Sequence, residues 1–394
     1  MKNLLLLFLL FAFGKSSAQW QQTNGPFSDA ITSLTADGSN LFAGTYLTGV
    51  YLTTNGGANW APVNTGLTDH FIWSMTSVGS TIYAGSHLDG VFISTNNGAN
   101  WTPSNTGLTD FRINEMESSG ATLYAGTNYF GVYKSINGGA TWTVDTIGMG
   151  AQSTKALAMN GDTLFAGTYD HGIFVSTNGG ASWTQSNNGL DSSTVDDIVI
   201  SGNKVFAGTV SGLFVSTDNG ASWTPDTVGL GNQGVRALAV YGINLFASTG
   251  AAIYLSIDHG ASWALDTLGM GSRNVSTMLI SGNDIYASTS TGTTNGMVWK
   301  RSLTGIVGIN EPPEKNTFGI YPNPTTGKFT VTLNKTGKAS LRIFNALGAL
   351  IEEQPLDERP GEMAKEIELN VAPGIYFAQV VMDGRLSNQK FVVQ

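Results

Sequence analysis

The 394-residue chain contains no cysteine, which excludes disulfides, thiol catalysis and thiolate metal sites. Its four histidines leave little room for a histidine-built metal centre. Basic residues are also scarce, 19 Lys and Arg against 28 Asp and Glu. The resulting formal charge of −9 argues against nucleic acid or an anionic membrane surface as partner. Charged residues make up 12% of the chain, about half the usual ~25%. Proline shows no periodicity, so the chain is not collagen-like, and 41% hydrophobic content argues against disorder. What is abundant is glycine, at 50 residues. At ~150 residues per domain the length suggests two or three domains.

The longest apolar run is short and sits at the start. Lys2 and Lys15 bracket Leu4 to Phe13, and Ser16-Ser17-Ala18 follows. A charged start, an apolar core and small residues predict an export signal, cleaved after Ala18. The run is too short to span a bilayer, which needs about 20 residues. No later stretch reads as a transmembrane helix, so no membrane anchor is expected in the mature chain.

Seven of the nine tryptophans stand at 20, 60, 101, 142, 183, 223 and 263, spaced by 40 or 41 residues. A fixed period of that size dictates the architecture. Each unit reads alike, as in Thr163-Leu164-Phe165-Ala166-Gly167-Thr168, then Gly172-Ile173-Phe174-Val175-Ser176, then a turn and Trp183. Short apolar stretches divided by glycine and asparagine are strands joined by tight turns. Four such strands per unit predict the blades of a β-propeller.

Six of the tryptophans follow a turn of the form Ser/Thr-x-Asn/Asp-x-Gly-x-x-Trp. The Asx–Trp pairs are Asn55–Trp60, Asn96–Trp101, Asn137–Trp142, Asn178–Trp183, Asp218–Trp223 and Asp258–Trp263. The hydroxyl and the Asx side chain suit backbone groups of the turn, and glycine accepts positive φ. These six turns resemble the Asp-box, or BNR repeat, of sialidases, sortilin-type receptors and photosystem II assembly factor-like propellers. The resemblance implies the fold, with the box as a structural hairpin far from the ligand face. Four of the six boxes carry neutral asparagine, a poor ligand for a hard cation, so no metal site is expected there. Residues 272 to 303 supply three further strands, around Val275–Ile280, Asp284–Ser288 and Met297–Leu303. Trp20-Gln21-Gln22 reads as an outer strand lacking its partners. Joining the two predicts seven blades over residues 19–303, the last closed by the N-terminal strand, which leaves fewer open sheet edges.

Residues 304–316, with Pro312 and Pro313, read as a linker. Residues 317–394 then alternate as strands, and a small antiparallel β-sandwich is expected. Three segments carry a resemblance: Tyr321-Pro322-Asn323-Pro324-Thr325-Thr326-Gly327, Pro373-Gly374-Ile375-Tyr376-Phe377 and Lys390-Phe391-Val392-Val393-Gln394. Their order and spacing resemble the type A sorting domain of the Por, or type IX, secretion system of Bacteroidota. The resemblance implies Sec export to the periplasm, engagement of the type IX machinery and delivery to the outer surface or the medium.

Comparing equivalent positions within the repeat locates a candidate site. One inner-strand column, Leu34, Met75, Met116, Leu157, Ile198, Leu238 and Met278, is uniformly apolar, as blade packing requires. Two residues earlier the column is Thr32, Trp73, Asn114, Lys155, Asp196, Arg236 and Ser276. Such variety at a channel mouth marks candidate ligand positions. The loops after the second strand are lopsided too. Blades one to four carry Tyr46, His87, Tyr129, Tyr169 and His171, whereas blades five to seven carry small residues, among them Ser290 to Gly296. With His70, Phe71, Phe111 and Arg112 this makes an aromatic arc suited to sugar rings or peptide side chains.

The catalytic alternatives find less support. A sialidase-like site needs an arginine cluster, a tyrosine–glutamate pair and an acid. Arg112, Arg236 and Arg273 fall on one predicted face, but in different registers, and Phe111-Arg112-Ile113-Asn114 lacks the proline of the family's Phe-Arg-Ile-Pro motif. A neutral-glycan hydrolase needs two carboxylates, for which Glu115, Asp170, Asp196 and Asp197 are available without a supporting motif. The expectation is a secreted or surface propeller, leaning non-catalytic, that binds glycan or protein and needs no cofactor. A glycan-active hydrolase and a purely structural surface protein are the alternatives.

Overall fold

The computed structural model describes residues 19–26, 29–144, 146–291, 294–304, 306, 318–333, 339–345, 350–356, 364–382 and 385–393. The segment expected to be an export signal, with Ala18, lies outside the described residues, as does most of the expected linker. The described residues are strands, turns and irregular segments, with no helix among them.

The 40-residue period becomes seven four-stranded antiparallel sheets. In the first, Ile31–Asp37, Asn40–Thr45, Val50–Thr53 and Ala61–Pro62 run from inside to outside. Each inner strand packs against the next and the seventh against the first, so the sheets close into a ring around a channel. The seventh sheet takes its outer strand from the other end of the chain. Gln21–Gln22 pairs antiparallel with Thr294–Ser302, Gln22 facing Trp299. The hairpin of this blade is longer than the sequence suggests. Thr291 pairs with Thr294, so part of Ser290 to Gly296 belongs to the ladder instead of to a loop. Its serines and threonines are compatible with extended pairing.

The core is distributed between neighbouring sheets. Phe42 and Val50 of the first blade pack with Ile72, Met75, Ile82 and Phe92 of the second. Ile31, Leu34 and Ala43 meet Tyr286 and Val298 across the closing junction. Burial of this apolar surface, at about 25 cal/mol per Å², stabilises each pair of blades together and no blade alone.

The tryptophans join these pairs. The backbone N–H of Trp101, Trp142, Trp183, Trp223 and Trp263 donates to a carbonyl of the preceding blade at 2.8–3.0 Å, and Trp20 donates likewise to Leu268 O at 2.9 Å. Several indoles add a second link, Trp101 Nε1 to Val63 O at 2.7 Å, Trp142 Nε1 to Ser104 O at 2.8 Å and Trp20 Nε1 to Asp266 O at 3.0 Å. Each receiving loop holds a glycine at positive φ under the tryptophan carbonyl. A Cβ on Gly148 (φ +88) would lie 2.1 Å from Trp183 O. The six turns themselves are closed locally. In every one the Ser or Thr oxygen accepts the N–H of the turn glycine at 2.8–3.0 Å. The Asx Oδ1 accepts an N–H four residues on at 2.9–3.0 Å.

A second junction differs from blade to blade. Tyr83 and Tyr124 hydroxyls donate to Gly138 O and Gly179 O of the next blade's turn, both at 3.2 Å, and Tyr286 approaches Gly56 in the same way. Where the equivalent aromatic is Phe42, Phe165 or Phe206, the turn carries Asn97, Asn219 or His259 instead, each at φ 56–60.

Three carboxyl groups border the channel on the inner strands. Asp197 accepts Ile198 N at 2.8 Å and, from the next blade, Leu238 N at 2.7 Å. Burial pushes Asp197 up from 3.8 to about 7, although those two hydrogen bonds oppose the shift. Burial likewise raises Glu117 from 4.5 to about 7, and raises Glu115 well above the usual range, with repulsion from Glu117 and Asp197 adding to it.

The second domain is a β-sandwich. One sheet holds Phe318–Tyr321, Lys328–Leu333 and Ala364–Glu368, and the other Leu350–Leu356, Ala339–Asn345, Gly374–Met382 and Arg385–Val393. Phe329, Leu341, Ile343, Ile367, Val380 and Phe391 form its core. The Tyr321-to-Gly327 segment is tied to the last strand, with Val392 N donating to Asn323 Oδ1 at 2.9 Å and Thr325 N to Val392 O at 2.8 Å.

Two measurements check these joints. Gly148→Ala must break the Trp183 contact, and a loss of more than about 3 kcal/mol is expected on thermal or urea unfolding. Gly161→Ala, at φ +59 with open space around it, should cost only about 1–2 kcal/mol. The channel acids are raised in the folded state, so they stabilise it most below their unfolded values. That contribution is lost as pH rises through about 7. Glu117→Gln is therefore expected to raise the melting temperature by about 3 °C at about pH 8 and by little at about pH 4.5.

Candidate functional site

The variable column has a common structural cause. In every blade the pairing of the inner strand with the second shifts register at one residue: between Ile31 and Ser33, Ile72 and Ser74, Ile113 and Glu115, Thr154 and Ala156, Val195 and Asp197, Val235 and Ala237, and Val275 and Thr277. The skipped residues are Thr32, Trp73, Asn114, Lys155, Asp196, Arg236 and Ser276. A bulge leaves its residue unpaired and re-aims the side chain. Trp73 turns to His87 of its own blade, and the other six side chains meet the neighbouring blade at the channel mouth. Thr32 Oγ1 bonds Ile72 O, Asn114 Nδ2 bonds Thr154 O at 3.1 Å, Lys155 pairs with Asp196, Arg236 bonds Asn274 Oδ1 at 3.2 Å and Ser276 bonds Ile31 O at 3.0 Å.

On blades one to three a buried or half-buried aspartate fastens the two loop sets to each other. Asp29 accepts Leu47 N and, at 2.7 Å, the Thr48 hydroxyl. Asp69 accepts Phe71 N at 2.9 Å and Leu88 N at 2.7 Å. Asp110 accepts Arg112 N at 3.0 Å and Tyr129 N at 2.7 Å. The equivalent positions in later blades are Ala151, Ser192, Asn232 and Ser272, none of them a carboxylate. A signal for these clamps exists in the sequence, since Gly-Leu-Thr-Asp ends at both Asp69 and Asp110, but reading for aromatics misses it.

The clamped loops gather four aromatic rings. Phe71 is the hub, with ring centroids 4.1 Å from Tyr46, 4.9 Å from Trp73 and 4.6 Å from His87. Trp73 Nε1 donates to His87 Nδ1 at 3.1 Å. Burial, then the Arg112 charge, hold His87 below its ordinary 6.5, with Asp69 opposing. Arg112 lies beside this group, its guanidinium 5.2 Å from the Tyr129 ring centroid and Nη1 donating to Tyr129 Oη at 2.5 Å. Trp73, Phe111, Tyr129 and Phe130 remain exposed, and so do Leu47 and Leu88 at the turn tips.

The remaining candidates lie apart from the hub. Lys155 sits 5.4 Å from the Tyr169 ring centroid while paired with Asp196, and His171 Nδ1 is 2.6 Å from Asp170. Arg236 contacts the sixth-to-seventh blade junction, and Arg273 lies over Trp299. The three arginines thus have three separate environments. Phe71, one member of the arc in the sequence, is the ring that Tyr46, Trp73 and His87 all contact. A pocket lined by Asn160, Ile200, Asn203 and Asn219 opens at the opposite, box-turn end. The aromatic site is an open face.

Comparison with known proteins divides at the linker. Residues 319–394 match the secretion system C-terminal sorting domain. No curated protein matches the chain. Among solved structures, YCF48 bound to D1 peptide aligns with TM-score 0.61 at 16% identity, over 73% of this chain and 95% of that one. PorZ of Porphyromonas gingivalis, described as an essential bacterial surface component of the type-IX secretion system, gives 0.56 at 14% identity, over 94% and 60%. The GH74 xyloglucanase of Xanthomonas campestris gives 0.53 at 16%, over 80% and 59%. At such identities the likeness is one of fold. No helix among the described residues is long and apolar enough to cross a membrane. The chain is a seven-bladed β-propeller carrying a C-terminal sorting domain of the type IX secretion system, which directs it to the cell surface or beyond.

Proposed function

We propose that the chain is a non-catalytic Asp-box propeller that binds a glycan or protein ligand through the aromatic arc of blades one to four. In this reading residues 1–18 are the export signal, 19–303 the propeller, 304–316 the linker and 317–394 the sorting domain. One observation carries the binding proposal: aspartate clamps occur in the three consecutive blades where the aromatics gather. Fixing loops before binding lowers the ordering cost that a ligand must overcome. Flat rings with exposed faces then supply contact area at low rotamer entropy.

The partners of the four candidate carboxylates favour binding over hydrolysis. Asp197 holds two backbone N–H groups, Glu115 is held by Ser74 and Met116, Asp196 pairs with Lys155 and Asp170 with His171. The xyloglucanase neighbour keeps hydrolysis as the second reading.

Glycan and peptide arrays probed with the protein are expected to give hits, and an array at background level would refute the binding claim. Trp73→Ala combined with Tyr169→Ala should weaken a detected ligand at least ~10-fold, as loss of two aromatic contacts predicts. An unchanged affinity would move the site elsewhere. Release of reducing ends from polysaccharide would instead establish the hydrolase. Removal of residues 319–394 should leave the protein in the periplasm, seen by fractionation of the native host.

A further inference from the structure

The aromatic hub depends on one proton. An indole N–H only donates, so the 3.1 Å contact from Trp73 Nε1 requires His87 Nδ1 to be an unprotonated acceptor. His87 must therefore be neutral, with its hydrogen on Nε2. The imidazole is also stacked on Phe71 at 29°, and Trp73 stands edge-on to it at 68°. One ring thus fixes Trp73 by a hydrogen bond and Phe71 by contact. Adding a proton to Nδ1 would set two donors against each other, which destroys that hydrogen bond and leaves the indole without its partner.

We propose that His87 is a positioning residue that makes the arc acid-sensitive: neutral His87 holds Trp73 in its binding orientation, and protonation at Nδ1 releases it and weakens the ligand. This rests on the reading of the arc as a ligand site. The charged groups around the ring come from three elements. Asp69 and exposed His70 belong to the loop leading into the second blade, Asp89 to His87's own turn, and Arg112 and Asp110 to the third blade. Asp69 and Asp110 are committed to backbone N–H groups, and Asp89 accepts the Thr68 hydroxyl at 2.5 Å. Arg112 repels a second positive charge and Asp69 attracts it. Repulsion and burial together place the transition below pH 6.5, so the hub is intact at neutral pH.

The test needs no ligand. In the full-length, ¹⁵N-labelled protein the Trp73 indole N–H signal is identified by its loss in Trp73→Phe and followed from about pH 7.5 to about pH 4.5, across the histidine range. A single transition with a midpoint below 6.5 is expected, absent in His87→Asn, whose Oδ1 takes the place of Nδ1 as an acceptor that does not titrate, and shifted upward in Arg112→Gln. A signal that does not move, or that moves identically in His87→Asn, would overturn the proposal. Because the readout is the indole itself, a failed array and a failed switch are separate results. Where the arrays give a ligand, its affinity should fall at least ~10-fold across the same transition in the parent protein and not in His87→Asn.

Discussion

The ring depends on a tryptophan whose backbone N–H reaches back into the preceding blade while its carbonyl presses on a glycine that can carry no side chain. The joint is not local in sequence, since within the repeat donor and acceptor lie roughly 35 residues apart. Its repetition lets seven small sheets, none able to bury both faces alone, share their cores. Trp20, which has no box turn before it, makes the same backbone hydrogen bond as the others. It is 1% exposed, and the N-terminal strand it introduces completes the last sheet. Tight turns also explain the composition. Positive-φ glycines punctuate every blade, and the propeller, with 18 acidic residues against 8 basic, carries almost all of the negative charge.

Those few basic residues are unevenly used. Lys134 and Lys204 donate to turn carbonyls at 2.6 and 2.8 Å, Lys300 pairs with Asp284 and Arg301 with Asp266. The other four, Arg112, Lys155, Arg236 and Arg273, stand at the channel mouth or its rim. Arg112 meets a tyrosine hydroxyl instead of a carboxylate, beside the aromatic hub. Cation, exposed rings and clamped loops therefore coincide on one sector of an otherwise repetitive surface.

Much of the fold was legible because it is periodic. Seven tryptophans at one spacing, six matching turns and a change of composition after Leu303 are properties of residue type and position. The site was legible only as a list. Tyr46, Trp73 and His87 meet around one ring, whereas Arg112 with Tyr129, Lys155 with Tyr169, His171 with Asp170 and Arg236 with Asn274 make their contacts outside it. What joins the first group is a hub, Phe71, and a donor–acceptor geometry that no spacing encodes. The bulges were hidden for a related reason. A residue added in every repeat leaves the period intact, so the sequence shows a variable column without showing that the ladder skips it. The channel acids illustrate the same limit: Glu117 and Asp197 look like ordinary strand carboxylates until the ring places them in a common, poorly solvated lining.

The skipped column has an evolutionary consequence. Residues inside a ladder are constrained on both sides, by their cross-strand partner and by the sheet stacked on them. Those at the seven bulges are released from the first constraint, and they face the mouth of the ring. Substitution there changes what the surface presents without asking any strand to re-register. Surface chemistry and strand register thus draw on different residues, and the surface can change one blade at a time while the tryptophan joints keep the ring closed.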